Sequence, residues 1–294
     1  MIFSVDVEDW PQSVLNRSNP LSDRVYANTM QVLDILAANK TKATFFTLAN
    51  VAEKFPALIH RIIKEGHEVA SHGMSHGNID AMTASEVHQE IEQSVKILED
   101  IGGVKVIGYR APNFSINEDV FDYFCEALAT QGLRYDSSLF SIPVWKYKIT
   151  KKYSLDTFTK FGLDEHYLTH INVAGKKLPF FGGGYFRLFP YALTKYFRDQ
   201  YDKDAVFYMH PYEVDTGELA EIKKLYQNIP KKWLITQFVK RASVAPKLER
   251  LLQDFEFTSF KENYYPENSA AITSNSLSQS TQQPRIIIDQ PQAA

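Results

Sequence analysis

The sequence predicts an α/β fold, a parallel sheet with right-handed crossovers that is either open or closed into a barrel. Two observations predict it. Short β-branched or aromatic runs alternate with segments of helical spacing through most of the chain. Polar signatures recur where such a run ends and the next loop begins, which is the functional face of barrels of this kind.

Ile2 to Val7 is a β-branched run suited to a buried strand, and it ends in Asp6-Val7-Glu8-Asp9-Trp10. Asp6 falls inside the apolar run, where a carboxylate is costly if it serves packing alone. From Leu21 to Asn39, Val25, Thr29, Val32, Leu33 and Leu36 recur at helical spacing, with Ser22 or Asp23 as N-cap. Ala43 to Leu48 is the second strand. Pro56 to Glu65 is a helix with Leu58, Ile59, Ile62 and Ile63 inward and Gly66 as its stop. His67 to Ser71 is the third strand, and it delivers His72-Gly73-Met74-Ser75-His76. Gly73 and Gly77 argue for a loop there rather than a helix. Two imidazoles on such a loop can converge on one point and suit a borderline divalent cation. On an arbitrary chain, two surface histidines would be the commoner reading. Thr83 and Glu86 form a capping box ahead of Val87, Ile91, Val95 and Leu98, and Gly102-Gly103 ends that helix.

Lys105 to Tyr109 is the fourth strand and leads into Arg110-Ala111-Pro112-Asn113. A helix from about Asn117 to Gln131 carries Val120, Phe121, Phe124 and Leu128, with Cys125 as a small buried hydrophobe. A brief strand near Arg134-Tyr135 leads into Asp136-Ser137-Ser138. Phe140 to Lys177 lacks a clean period and reads as an excursion, whose Trp145, Tyr147, Tyr153 and Tyr167 suit stacking on sugar rings. Leu178 to Phe181 is a strand ahead of Gly182-Gly183-Gly184-Tyr185-Phe186-Arg187. That glycine run lacks the GK[ST] ending of a phosphate-binding loop. Ala205 to Met209 is a strand delivering His210-Pro211-Tyr212-Glu213. Trp233 to Lys240 and Leu248 to Phe257 are closing helices, with Phe257 to Phe260 as a last strand. Residues 263–294 are a polar, low-complexity tail expected to be disordered, interrupted by the apolar run Ile286 to Ile288.

With 294 residues, 44% of them hydrophobic and 23% charged, the chain has the composition of a soluble globular protein and is long enough for one large α/β domain or two small ones. A net charge of −3 argues against nucleic acid as a bulk electrostatic partner. The single Cys125 cannot form an internal disulfide. No apolar run is long enough for membrane insertion. Met1 runs straight into Ile2-Phe3-Ser4-Val5 with no basic segment or cleavage site, so a cytoplasmic location is expected.

Together these signatures resemble the polysaccharide deacetylase family, the NodB-homology domain of carbohydrate esterase family 4. The branch they resemble is the one associated with exopolysaccharide and O-antigen loci. The resemblance covers roughly residues 1–262 and rests on five ordered motifs: Asp6 to Asp9, His72 to His76, Arg110 to Asn113, Asp136 to Ser138, and Met209 to Pro211. It implies a distorted (β/α)7 barrel. It also implies removal of N-acetyl or O-acetyl groups from an acetylated sugar or polysaccharide, in surface polysaccharide biosynthesis. The implied cofactor is a divalent metal: zinc, with cobalt, nickel and iron as alternatives. By the same resemblance Asp6 is the general base, and Arg110 pairs with it and orients it. Glu8, His72 and His76 hold the metal, and the Asn113 backbone N–H is an oxyanion donor. His210 is the acid, tuned by Glu213 or Asp136.

Two departures from the family pattern matter. The usual first motif has adjacent aspartates, whereas here Val7 follows Asp6 and points to the opposite side of the strand. The ligand role therefore passes to Glu8, with Asp9 as its rival. Gly73 stands where the family commonly has Thr or Ser, removing a hydroxyl near the metal. Two other functions compete: an allantoinase-like amidohydrolase acting on a small molecule, and a catalytically silent carbohydrate-binding protein. Retention of Asp6, both histidines, Arg110 and His210 argues against the silent protein.

Overall fold

The strand that organises the molecule is β1 (Ile2–Val7), which lies between β2 (Thr44–Thr47) and β9 (Val206–Met209). The computed structural model describes residues 1–140, 151–173, 176–199, 205–226 and 229–268. β3 (Glu68–Ser71), β4 (Gly108–Tyr109), β5 (Tyr135–Asp136) and β6 (Asp164–Glu165) continue the sheet outward from β2. The order is β6-β5-β4-β3-β2-β1-β9, with parallel pairing throughout. β7 (His170–Val173) and β8 (Lys176–Pro179) form a separate antiparallel pair. Seven parallel strands with helical crossovers make a curled half-barrel, the distorted (β/α)7 architecture expected from the sequence.

Strand alternation sorts β1 into two environments. Phe3, Val5 and Val7 enter the main core, which the helices Arg24–Ala38, Pro56–Lys64, Ala84–Gly102, Phe121–Thr130 and Val244–Asp254 cover from outside. Ile2 faces inward with Phe46, Ala70, Ile107, Tyr135 and Val206, and Phe260 and Tyr265 join this inner layer. Burying each such side chain contributes about 1.5–3 kcal/mol, so the two layers fix which face of every strand looks inward. On the inward side of β1, Ile2 is followed by Ser4 and Asp6, and the interior turns polar toward the strand ends. Register carries that level across the sheet: Thr47 pairs with Ser71, Ser71 with Tyr109, Tyr109 with Asp136, and Asp136 with Glu165.

The structure corrects several expectations. The excursion after Phe140 contains β6, whose Asp-Glu sequence reads as solvated loop. It joins the sheet through Asp164 N to the Arg134 carbonyl and His166 N to the Asp136 carbonyl, each at 2.9 Å, and Glu165 Oε1 also accepts from Leu139 N at 2.9 Å. Phe257 to Phe260 is not a strand. Thr258 makes a single bridge to Ile2, and then Ser259 accepts from Glu262 N at 3.1 Å and caps the helix Phe260–Tyr264. That helix and the buried Tyr265 carry the folded body past the boundary expected at residue 262. β8 covers only part of the strand expected at Leu178 to Phe181 and lies outside the main sheet. Gly182 is no slack loop residue, since a Cβ there would lie 2.6 Å from the Tyr208 carbonyl oxygen of β9.

Tyr167 packs against the apolar core rather than standing free for a sugar. Trp145, Tyr147, the Tyr153 side chain and the tail containing Ile286 to Ile288 lie outside the described residues. Among the described residues no helix is long and apolar enough to cross a membrane.

Candidate active site

Past the end of β1 the alternation continues, so Asp6 and Glu8 share the inward side while Val7 stays in the core. β3 ends beside them and delivers His72. The His72 Nδ1–H donates to the Arg110 carbonyl at 2.8 Å, which turns its Nε2 toward Glu8 Oε2 at 3.7 Å. The Nε2 of His76 contacts the same oxygen from the other side of the loop. One ligand atom from each of Glu8, His72 and His76 lies within 4.8 Å of the other two, and all three residues are buried.

Burial alone would raise the Glu8 pKa. The positive fields and hydrogen bonds of His76 and His72, with His210 behind them, instead hold it well below the usual carboxylate range. Glu8 Oε2 is nevertheless buried without a hydrogen bond of acceptable geometry. Two imidazole nitrogens and a buried carboxylate oxygen converging in this way fit a borderline divalent cation. Asp9, the rival ligand, does not reach the cluster. Its oxygens accept from Ser22 N at 2.9 Å and Ser22 Oγ at 2.6 Å, at the foot of the helix Arg24–Ala38.

Asp6 is the inward carboxylate one step deeper. Arg110, fully buried just past β4, donates from Nη1 to Asp6 Oδ1 at 2.7 Å and to Ser4 Oγ at 3.0 Å. Its Nε and Nη2 donate to the Ser137 carbonyl and Ser137 Oγ, each at 3.0 Å. The guanidinium also lies 4.1 Å from the Phe46 ring centroid. One side chain thus ties β1 to the end of β5. Planarity and five fixed donors make arginine the residue for such a bridge.

β9 supplies the third group. Pro211–Val214 forms a 3-10 turn that folds Glu213 back onto His210, accepting from its backbone N at 3.0 Å and meeting its Nδ1 at 2.9 Å. Burial disfavours the charged ring, but the Glu213 hydrogen bond and the fields of Glu8, Glu213 and Asp6 prevail and raise the His210 pKa to about 9. Its Nε2 is 3.5 Å from Glu8 Oε1. Tyr212 stacks on the same imidazole with centroids 4.8 Å apart and donates to Glu8 Oε1 at 3.4 Å. Of the two carboxylates considered for tuning His210, Glu213 makes the contact.

Asp136 is engaged elsewhere. It accepts from Ser138 Oγ at 2.6 Å and is paired with Glu165 on β6. Burial pushes Asp136 up to about 6, and burial together with the Asp136 charge pushes Glu165 well above the carboxylate range. Ser138 Oγ in turn accepts from Ala111 N at 2.8 Å, so this buried acid pair supports the Arg110-to-Asn113 segment from beneath.

Asn113 takes a left-handed backbone conformation (φ 54°), and its Nδ2 donates to Asn78 Oδ1 at 2.8 Å. A cavity of about 460 Å³ is lined by Asp6, Glu8, His72, His76, Asn113 and His210, with Tyr208, Tyr212, Phe114 and Trp233 as aromatic walls. It shares Ser13, Val14, His76 and Asn113 with a trough of about 680 Å³, whose walls carry the amides of Gln12, Asn16, Asn78, Gln89 and Gln93. All seven expected site residues therefore meet in one cavity or, for Arg110, directly beneath it. Sequence reasoning missed Ser4, Tyr208, Tyr212 and Trp233. Ser4 alone had a signal, being two residues before Asp6 on the same side of the strand.

Residues 22–135 match the family described as polysaccharide deacetylase, and residues 137–265 match a domain of unknown function, DUF3473. Among curated relatives, the chain is 34% identical over 94 residues to peptidoglycan-N-acetylmuramic acid deacetylase PdaC of Bacillus subtilis, covering 32% of this chain and 20% of that protein. It is 35% identical over 98 residues to a peptidoglycan-N-acetylglucosamine deacetylase of Bacillus cereus (33% and 36% covered). It is 41% identical over 63 residues to a chitooligosaccharide deacetylase of Bradyrhizobium (21% and 29% covered). The matches thus span between 20% and 36% of these relatives' own lengths. A crystal structure of a putative polysaccharide deacetylase from Mycobacterium smegmatis superposes with a TM-score of 0.54 at 17% identity, over 96% of this chain and 94% of the other. That likeness is one of fold.

Proposed function

The chain belongs to the polysaccharide deacetylase family, and on that premise we propose that it is a metal-dependent hydrolase removing N-acetyl groups from an acetylated carbohydrate. One observation carries the reading. The Glu8, His72 and His76 donor set lies between a carboxylate–arginine pair on one side and an imidazole–carboxylate pair on the other. A zinc ion bound there would supply Lewis acidity and make water a stronger acid.

The chain's own residues do the rest. Asp6, oriented by Arg110, accepts the proton of an attacking water. Asn113, at the cavity wall, is the candidate backbone donor to the oxyanion that develops on the amide carbonyl. His210 is protonated at neutral pH by virtue of Glu213, Glu8 and Asp6, and it donates a proton to the departing amine. Products are acetate and a free amino sugar.

The amide-lined trough running out of the cavity supports a glycan longer than one residue, because each amide offers both a donor and an acceptor to neighbouring hydroxyls. It also disfavours an allantoinase-like small substrate. We assign the catalytic unit to the body ending near residue 265, acting in surface polysaccharide assembly. The Gly182 to Arg187 and His210 to Glu213 runs of the resembling branch support that context.

The test is metal content together with acetate release from N-acetylated oligosaccharides, with and without a chelator. His72→Ala and His76→Ala are each expected to lose bound metal and activity while the fold survives. Full metal occupancy in either variant refutes the ligand set. Metal binding without acetate release from any acetylated glycan refutes the hydrolase.

A further inference from the structure

We propose that Glu90 is a positioning residue of this metal centre. Its carboxylate reaches in from the helix Ala84–Gly102 and holds the loop between His72 and His76 in the conformation that converges their rings on Glu8. The proposal rests on the reading of Glu8, His72 and His76 as ligands, and it adds a residue that lies in none of the five motifs.

The helix presents Val87, Ile91 and Val95 to the core and Glu90 to the loop. Glu90 Oε1 accepts from Met74 N at 2.8 Å, and Ser75 N donates to the same carboxylate. One turn further along, Ser94 Oγ lies 2.8 Å from Ser71 Oγ, which accepts from Gly73 N at 3.1 Å. The N–H groups of residues 73, 74 and 75 are thus all satisfied from the side of this helix. The opposite edge is pinned as well: the carbonyls of Gly73 and Met74 accept from Ala49 N at 2.9 Å and Asn50 N at 3.0 Å. Gly73 and Met74 are clamped between the helix Ala84–Gly102 and the helix Ala49–Lys54.

The clamp has something to hold. His76 has φ 63°, a left-handed conformation that a residue with a Cβ keeps only where its surroundings over-determine it. Released, the chain relaxes toward negative φ and carries the imidazole off Glu8. Gly73 has φ +83°, and a Cβ there would lie 2.9 Å from Glu90 Oε1. The carboxylate occupies space that any side chain at 73 would need. This gives a physical account of the glycine that stands where the resembling family carries Thr or Ser: position 73 has given up its side chain to a support that comes from the neighbouring helix.

The experiment measures the Zn²⁺ dissociation constant of the purified 294-residue chain by competition with a chromophoric chelator. Thermal melts are run in parallel with and without zinc. Glu90→Ala orphans two backbone N–H groups, and its dissociation constant is expected to rise about 10- to 100-fold, the usual effect of removing a group that orients a ligand. Glu90→Gln, whose Oε1 still accepts, is expected to recover most of that loss. A merely structural Glu90 would lower the melting temperature equally with and without zinc and leave the dissociation constant within about twofold of wild type. Zinc binding by wild type combined with that result overturns the positioning role. Where Glu90→Ala does not fold, Gly73→Ala disturbs the same contact from the other side. A dissociation constant within about twofold of wild type in that variant overturns the role as well. Absence of zinc binding by the wild type overturns the ligand reading itself, and the positioning role with it.

Discussion

Replacing Arg110 by Met is the sharpest test of how the site is built into the fold. Arg110 is fully buried, and its side chain donates four hydrogen bonds to Asp6, Ser4 and Ser137. Met keeps most of the stem that packs over Phe46 but supplies no donor. Asp6, 2% exposed, is left as a buried carboxylate without its cation. Breaking a buried ion pair from one side costs about 3–5 kcal/mol, chiefly because the remaining charge is stranded. Against a total stability of about 5–15 kcal/mol that is a large fraction.

If the stranded charge is the main cost, removing it restores stability: Asp6→Asn on top of Arg110→Met is expected to recover about 1–3 kcal/mol, a coupling usual for residues in direct contact. Urea unfolding at pH 7.5 in excess chelator reads all four members of the cycle without a contribution from metal binding. A double variant no more stable than Arg110→Met refutes the argument. In that case the cost lies in the lost bridge to Ser137 rather than in Asp6.

Within the first motif, Asp6→Asn is expected to keep bound metal while turnover falls by about 10² to 10⁴. Glu8→Gln is expected to weaken metal binding, with partial rescue by excess metal. Asp9→Asn should leave the metal alone, since its contacts are with Ser22; metal loss from Asp6→Asn or Asp9→Asn reverses the assignment. Asp136 and Glu165 both have raised pKa values, so the folded state holds protons that the unfolded chain releases. Their contribution is fullest below about pH 4 and is lost as pH rises through about 6. Glu165→Gln removes one titrating group, and its urea midpoint relative to wild type should climb between pH 5 and 8; parallel profiles would contradict a shared proton. Truncation after residue 268 should leave the melting temperature nearly unchanged. Truncation after residue 262 should lower it, because Tyr265 donates to Asp164 at 2.7 Å, meets His166 Nε2 at 3.0 Å and stacks on Tyr135. Equal melts would show that residues 263–268 contribute nothing.

What the sequence made legible follows from which signals are local. β1, β2, β3 and β9 announce themselves because each is an apolar run with a polar residue at its end, and the capping box at Thr83 and Glu86 is a four-residue pattern. The seven expected residues lie within or up to five residues beyond the ends of β1, β3, β4 and β9, so reading strand ends was enough to bring them to one side of the sheet. β6 was illegible because its two residues are both acidic. Only backbone pairing with the distant Arg134 and Asp136 makes this pair of acids a strand. The choice between Glu8 and Asp9 turned on Ser22, thirteen residues away from Asp9, and between Glu213 and Asp136 on a three-residue turn. Glu90 lies 16 residues beyond Met74, from whose N–H it accepts, and no spacing rule connects them.

These long-range supports share a direction. Along the inward side of β1, Ile2 lies level with the apolar Val206 of β9, and Ser4 and Asp6 follow it, joined by Arg110 and Ser137 in a buried polar cluster. A buried layer of charges is weak evidence for stability, since a well-packed apolar layer would serve at least as well. Its presence at the level where β1, β3, β4, β5 and β9 all end points to chemistry as the reason. The supports of Arg110, Ala111 and the histidine loop come from below or from the outer helices: Ser4 and Ser137 under Arg110, Ser138 under Ala111, Ser94 and Glu90 against the histidine loop. None of them reaches across the cavity, so the open side is left to the ligand. The fold gives up apolar packing at one layer and uses the surrounding hydrogen bonds to make that layer rigid. On the proposed reading, Asp6 and His210 then stand fixed on either side of the Glu8, His72 and His76 donor set.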